Sequence, residues 1–239
     1  MIGVYDYTVI LTYMSVLSAG AGIIVSLSGT GHPYIGVLFL LVCGLCDAFD
    51  GKVARTKEGR SRLECNFGIQ IDSMSDVIAF GVLPACIGAS VIRTSPMIKS
   101  FCFGHNAPWY GVVLKFVLYG ILLIYILAAA IRLAYFNVTE EERQLTEKTA
   151  RKAFTGLPVT SVALIIPTAA LLRFIFSPFA DISLIVFAVM LGTAFAFVSS
   201  LKVPKPGLRG ILIMVFIGSA EFITLLLFKF VIYHGVRYF

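Results

Sequence analysis

Charge is scarce in this chain. Of 239 residues only 13 are Asp or Glu and 19 Lys or Arg, so 13% are charged while 59% are hydrophobic. Soluble domains carry about 25% charged residues, and a mean hydropathy of +0.94 removes the chain from that class. The apolar stretches also lack the alternation over about 10 residues that a spanning β-barrel needs, so the expected fold is all-α. Histidine is nearly absent: His32, His105 and His234 stand alone and read as loop or interface residues. The cysteines, Cys43, Cys46, Cys65, Cys86 and Cys102, are odd in number, lie in or beside apolar segments and have no histidine at metal-binding spacing; they read as packing thiols. The stretch "MIGVYDYTVIL" has no basic region ahead of its first apolar run and no Ala-x-Ala follows, so the first helix is expected to be retained. A soluble basic domain is missing as well, and the net charge of +6 therefore points to membrane topology and anionic lipid rather than to nucleic acid. With no internal repeat or low-complexity tract, residues 1–239 read as a single integral-membrane domain.

What fills the chain is a series of apolar runs near 8–28, 33–50, 69–92, 110–136, 156–176, 181–200 and 210–233. They predict a polytopic transmembrane helical bundle of about six to eight spans, seven by this count. Basic residues set the orientation, because Lys and Arg near span ends tend to stay cytoplasmic. The connections 51–66, 137–155 and 201–209 hold Lys52, Arg55, Lys57, Arg60, Arg62, Arg143, Lys148, Arg151, Lys152, Lys202, Lys205 and Arg209, whereas 29–32 and 177–180 hold none. The three basic connections are thus expected on the cytoplasmic side of the cell membrane, with the N-terminus inside, the C-terminus outside and 93–109 as the largest external loop.

Against this background the acids of "CDAFDGKVARTKEGRSRLECNFGIQIDSMSD" (46–76) demand a reason. Asp47 and Asp50 are three residues apart at the inner end of the second span, and Gly51 and Ala54 continue their helical face with almost no side-chain bulk. Asp72 and Asp76 are four apart at the inner start of the third span, with Gly68 one turn earlier. If the two helices pack antiparallel, four carboxylates converge beside small residues. Such a group needs a counter-charge, and a hard cation, Mg²⁺ or Mn²⁺, matches oxygen donors and commonly pairs them with substrate phosphates. The small residues leave room for a phosphate or nucleotide, and Arg55, Arg60 and Arg62 can neutralise phosphoryl oxygens. Ordinary solvated helix-end charges would explain any one of these acids; four at this spacing, with glycines on the same faces, point to phosphoryl transfer at the membrane surface.

The pattern Asp47-x2-Asp50-Gly51-x2-Ala54-Arg55, then Gly68-x3-Asp72-x3-Asp76, resembles the signature of the CDP-alcohol phosphotransferases. Here 56–67 is four residues longer than the family's usual spacing, and Cys65 stands where relatives often have Ser or Thr. "FGIQIDSMSDVIAFGVLPA" (67–85), "IRLAYFNV" (131–138), "FTGLPVTSVAL" (154–164) and "FVSSLKVPKPG" (197–207) are similar to segments of membrane-type phosphatidylserine synthases, although Tyr135 replaces a common second Arg. The resemblance implies transfer of a phosphatidyl group from CDP-diacylglycerol to L-serine, with release of CMP, and a homodimer. It also implies roles: Asp47, Asp50, Asp72 and Asp76 holding the divalent metals, two in number, Asp76 also acting as general base, and Gly51, Ala54, Arg55 and Gly68 forming the CDP-diacylglycerol site. For serine, whose carboxylate needs a cation and whose ammonium needs an acceptor, Arg132 and Asn137 are the candidates. Inositol or glycerol phosphate is an alternative acceptor. An ion-coupled transporter, the alternative from another class, would place acids and Gly/Pro breaks near the midplane of several helices, not at one surface. Lys115, Arg173, Lys229 and Glu221, in or near apolar runs, read as snorkelling or helix-pairing residues.

Overall fold

The computed structural model describes residues 3–29, 31–103, 108–146, 153–176, 181–204 and 207–235. Within them the chain is a helical membrane bundle: α1 (Ile10–Leu27), α2 (Pro33–Ala54), α3 (Arg62–Thr94), α4 (Pro96–Phe103), α5 (Trp109–Thr146), α6 (Val162–Phe176), α7 (Ser183–Val198) and α8 (Leu208–Gly235). α1, α2, α3, α5 and α8 carry stretches long and apolar enough to cross a membrane, and α6 and α7 are shorter apolar helices. These seven correspond one to one with the apolar runs of the sequence.

Three features depart from the hydropathy reading. The stretch expected as an external loop contains α4, which starts because Ser95 caps it, its Oγ accepting from the Ile98 N–H at 3.2 Å, ahead of Pro96 at the first helical position. α5 runs to Thr146, well past the apolar run, because "EEERQL" (140–145) is built of good helix formers and Arg143 pairs with Glu140 three residues back. Finally, β1 (Ala153–Thr155) and β2 (Lys202–Pro204) pair antiparallel, Phe154 opposite Val203. This small ladder puts the segments before α6 and after α7 on one side of the bundle. It depends on Gly156, whose φ is +80° and where a Cβ would lie 2.7 Å from the Phe197 carbonyl oxygen. Of the basic and polar residues noted in the sequence, His105, Lys148, Arg151, Lys152 and Lys205 lie outside the described residues.

The core sits where α2 and α3 pack against α1, α5 and α7. On α1 a stripe of small or polar residues, Thr12, Ser15, Ala19, Gly22 and Ser26, faces inward; at Gly22 a Cβ would meet the Phe39 Cβ at 2.8 Å. Such stripes let membrane helices approach closely. In α3 the residues just after Asp76, Val77–Val82, form a π-helical turn. Pro84 explains why the regular ladder is interrupted there: it lacks the N–H that would bond the carbonyl four residues back, that of Phe80. The hydroxyl of fully buried Tyr125 donates to that carbonyl at 2.7 Å. Tyr125→Phe is therefore expected to remove a buried hydrogen bond to a carbonyl that Pro84 cannot serve. It should cost about 1 kcal/mol, visible as a lower thermal midpoint in detergent, with Michaelis constants unchanged.

Candidate active site

α2 ends and α3 begins within eight residues, and local chemistry fixes both boundaries. Gly59 takes the left-handed turn conformation, φ +69°, and Ser61 and Glu64 form a capping box: the Glu64 N–H donates to Ser61 Oγ at 3.2 Å and the Ser61 N–H to Glu64 Oε2 at 2.7 Å. The chain thus reverses directly, and the acidic ends of α2 and α3 are brought side by side.

There, carboxylate oxygens of Asp47, Asp50 and Asp72 all lie within 4.8 Å of one another. Asp76, one turn further along α3, stands outside this triplet but interacts electrostatically with all three. Asp50 and Asp76 are each only 9% exposed. Among the described residues none of the four forms an ion pair with Lys or Arg. Asp50 is held instead by neutral donors, the Gly51 N–H on one oxygen and the Thr12 hydroxyl of α1 at 3.5 Å on the other. Three converging carboxylates with no protein cation against them are a donor set for a hard divalent ion, so the residues fit the metal that the sequence points to.

A cleft of about 220 Å³ opens beside the triplet, lined by Asp50, Gly51, Ala54, Arg55, Gly68 and Asp72, with Thr8, Val9, Thr12, Arg60, Cys65 and Ile69 completing it. All four positions expected to form the nucleotide site face this one space. Their small size matters locally: a Cβ at Gly68 would stand 3.0 Å from Arg60 Nη2, while one at Gly51 would approach nothing nearer than Arg55 Nη2 at 3.9 Å. Asp47 faces a different cavity, about 540 Å³ and mostly apolar, between α2, α6 and α8, with Leu41, Leu164, Met214 and Phe222 among its walls.

Arg132 and Asn137, both on α5, do not line the cleft. Arg132 is buried, its Nε donating to the Leu157 carbonyl at 3.1 Å and its guanidinium lying over the Phe136 ring. Asn137 donates to Ser73 Oγ at 2.7 Å, next to Asp72 in the chain. Arg62 is exposed and also outside the cleft. Sequence reasoning missed Thr8, Val9 and Thr12, which bring the start of α1 into the site. The signal was present: Thr12 belongs to the small-residue stripe of α1, and a stripe of that kind must face another helix.

Comparison with known proteins agrees with this geometry. A family model described as CDP-alcohol phosphatidyltransferase matches residues 8–198. The chain is 29% identical over 144 residues to a CDP-diacylglycerol--serine O-phosphatidyltransferase of Helicobacter pylori, covering 60% of this chain and 49% of that protein. It is 30% identical over 151 residues to the Saccharomyces cerevisiae protein of the same name, covering 62% and 46%. The chain thus spans about half the length of these relatives. An archaetidylserine synthase of Methanothermobacter thermautotrophicus is 31% identical over 193 residues, covering 80% of this chain and 68% of that protein. The matched region contains every acid and glycine of the motif, and by that match the chain belongs to the CDP-alcohol phosphatidyltransferase family.

Proposed function

We propose that this chain transfers the phosphatidyl group of CDP-diacylglycerol to the hydroxyl of L-serine, giving phosphatidylserine and CMP, at the cytoplasmic face of the cell membrane. The observation that carries the reading is the close triplet of Asp47, Asp50 and Asp72, without a basic partner among the described residues, two of whose members, Asp50 and Asp72, line a cleft walled by Gly51, Ala54, Arg55 and Gly68. The names of the relatives have a serine head group in common, which favours serine over inositol or glycerol phosphate. The apolar cavity next to Asp47 suits a hydrocarbon chain and supports a lipid as the phosphoryl donor.

Asp47, Asp50 and Asp72, with Asp76 beside them, would hold one or two Mg²⁺ or Mn²⁺ ions, which when bound neutralise the diphosphate and polarise its phosphoryl oxygens. The chain's own contribution is placement. Gly51 and Gly68 let the nucleotide approach the backbone, and Arg55 supplies a fixed positive charge at the rim. Asp76 takes the proton from the serine hydroxyl as its oxygen attacks the β-phosphorus. The new O–P bond forms while the bond to the CMP oxygen breaks, and no covalent enzyme intermediate is needed. Arg132 offers a bidentate fork to the serine carboxylate and Asn137 an acceptor to its ammonium.

The test is CMP release by the purified protein with CDP-diacylglycerol and a panel of alcohols. Serine should exceed inositol and glycerol phosphate by about a hundredfold or more, the discrimination expected of a site whose polar groups need partners. Arg132→Lys should raise the Michaelis constant for serine by about tenfold, the loss of one charged hydrogen bond, with that for CDP-diacylglycerol unchanged. Preference for another alcohol would move the acceptor assignment and leave phosphatidyl transfer standing. No CMP release with any alcohol would remove both.

A further inference from the structure

The connection between α2 and α3, longer than usual for its motif, is tied to the segment ahead of α1 through one lysine. Lys57 Nζ lies 2.6 Å from Asp6 Oδ2 and 2.7 Å from Glu64 Oε1. Both ends of the tie are anchored independently. Asp6 also accepts from the Thr8 backbone and hydroxyl, and Glu64 is locked by the capping box with Ser61. Inside the loop thus closed, Arg60 folds back over the cleft: Nη1 donates to the Ala54 carbonyl at 3.4 Å and Nη2 to the Glu64 carbonyl at 3.2 Å. Its Nε is buried without a partner among the described residues, and the residue lines the cleft with its guanidinium against Gly68.

The geometry points to Arg60 as a fixed cation for the diphosphate of the nucleotide-lipid substrate, held over the cleft by the Asp6–Lys57–Glu64 tie, with Lys57 as its positioning residue. The inference rests on the proposed function in taking the cleft as a nucleotide site. Three physical arguments support it. Arg60 sits within the same space as Asp50 and Asp72, where a substrate diphosphate would have to lie to meet both a metal and the glycine wall. Its anchors are carbonyl oxygens, and among the described residues no carboxylate pairs with it, which leaves its positive charge available to an anion. The tie is also stable over ordinary assay conditions. The hydrogen bond from Lys57, then that from Thr8, holds the Asp6 carboxyl at about 2, below its usual 3.8, while the bonds to Asp6 and then Glu64 raise Lys57 to about 12 from 10.5. The Asp6 contribution is complete above its unfolded value and lost only as pH falls toward 2; the Lys57 contribution is complete below its own and lost only as pH rises toward 12. Ion pairs near the surface contribute little to global stability, so this partly exposed tie should register in the site it shapes more than in the melting temperature.

The experiment titrates CDP, a soluble nucleotide, into the full-length protein in detergent with Mg²⁺, alongside steady-state kinetics with CDP-diacylglycerol. Arg60→Met should weaken CDP binding by about tenfold to a hundredfold, as for loss of charge-assisted hydrogen bonds. Lys57→Met should weaken it severalfold and raise the Michaelis constant for CDP-diacylglycerol in proportion, with kcat and the constant for serine within twofold. Lys57→Arg should restore both. The decisive readout is the double variant: with Arg60 already replaced, Lys57→Met should cause no further loss, because positioning needs something to position. Additive losses, or a Lys57→Met effect confined to the thermal midpoint, would overturn the positioning role, and unchanged CDP affinity in Arg60→Met would overturn the site. CDP binding is read without an acceptor, so failure here is distinguishable from failure of the serine assignment, which appears only as absent or misdirected CMP release.

Discussion

Asp50→Asn is expected to suppress CMP release by about a hundredfold to ten-thousandfold while the protein still inserts and purifies as the parent does. Metal-assisted charge stabilisation is worth several kcal/mol, and each 1.36 kcal/mol is a factor of ten in rate. Asp47→Asn and Asp72→Asn should fall in the same range, since the three oxygens lie within 4.8 Å of one another and a shared ion loses its geometry with any of them. Pairs of these substitutions should lose little more than single ones, as for groups that act as a unit. Stability separates this from a structural effect. In chelator the carboxylates repel, so exchanging one for an amide of the same shape removes like-charge repulsion. The Asn variants should then melt at or above the parent's temperature in chelator and at or below it in Mg²⁺, because only the parent gains from binding the ion. Chelation of the parent should abolish CMP release, and added Mg²⁺ or Mn²⁺ should restore it. Full turnover in chelator, with metal verified as absent, would sink the metal assignment.

The acids and glycines were legible in the sequence because helical spacing is a strong constraint: residues three or four apart share a face, and in an apolar chain a face bearing two aspartates has few uses. The seven apolar runs were legible for a similar reason, since hydropathy reads burial in lipid directly. What escaped was set by polar local chemistry. The capped α4 and the extension of α5 to Thr146 depend on Ser95, Pro96 and a run of helix-forming polar residues, to which an apolar window is blind. The β1–β2 ladder is three residues long on each side and depends on which loops meet in space. The share of α1 and the residues just ahead of it in the cleft, through Thr12, Thr8 and Val9, is a tertiary fact. For Arg132 the residue type carried the expectation of a carboxylate partner, and its bond to the Leu157 carbonyl was not legible because it depends on where the segment after β1 comes to rest.

Asp76→Asn should behave differently from the other three, and the contrast is the sharpest test of how labour is divided among the acids. Asp76 lies one turn beyond Asp72, outside the close triplet, and does not line the cleft. It is buried, and the π-helical turn begins at the next residue. Such turns gather at functional positions because they redirect the side chains that follow. A carboxylate so placed, near the other three acids but not needed to close the triplet, suits proton removal from an incoming hydroxyl better than it suits nucleotide binding. The amide isostere cannot accept that proton. Loss of a general base costs about 10²–10⁴ in rate, so kcat should fall by that factor with CDP affinity in Mg²⁺ held within about threefold, a free-energy change under 1 kcal/mol. Asp50→Asn, by contrast, should lose metal-dependent CDP affinity and rate together. A stronger nucleophile offers a further check: hydroxylamine, which needs less help from a base, should recover a larger fraction of parental CMP release in Asp76→Asn than in Asp50→Asn. Near-parental turnover with serine would remove Asp76 from catalysis, and a fall in CDP affinity matching that of Asp50→Asn would make it a fourth metal ligand and leave the base to be sought on the acceptor side of the site.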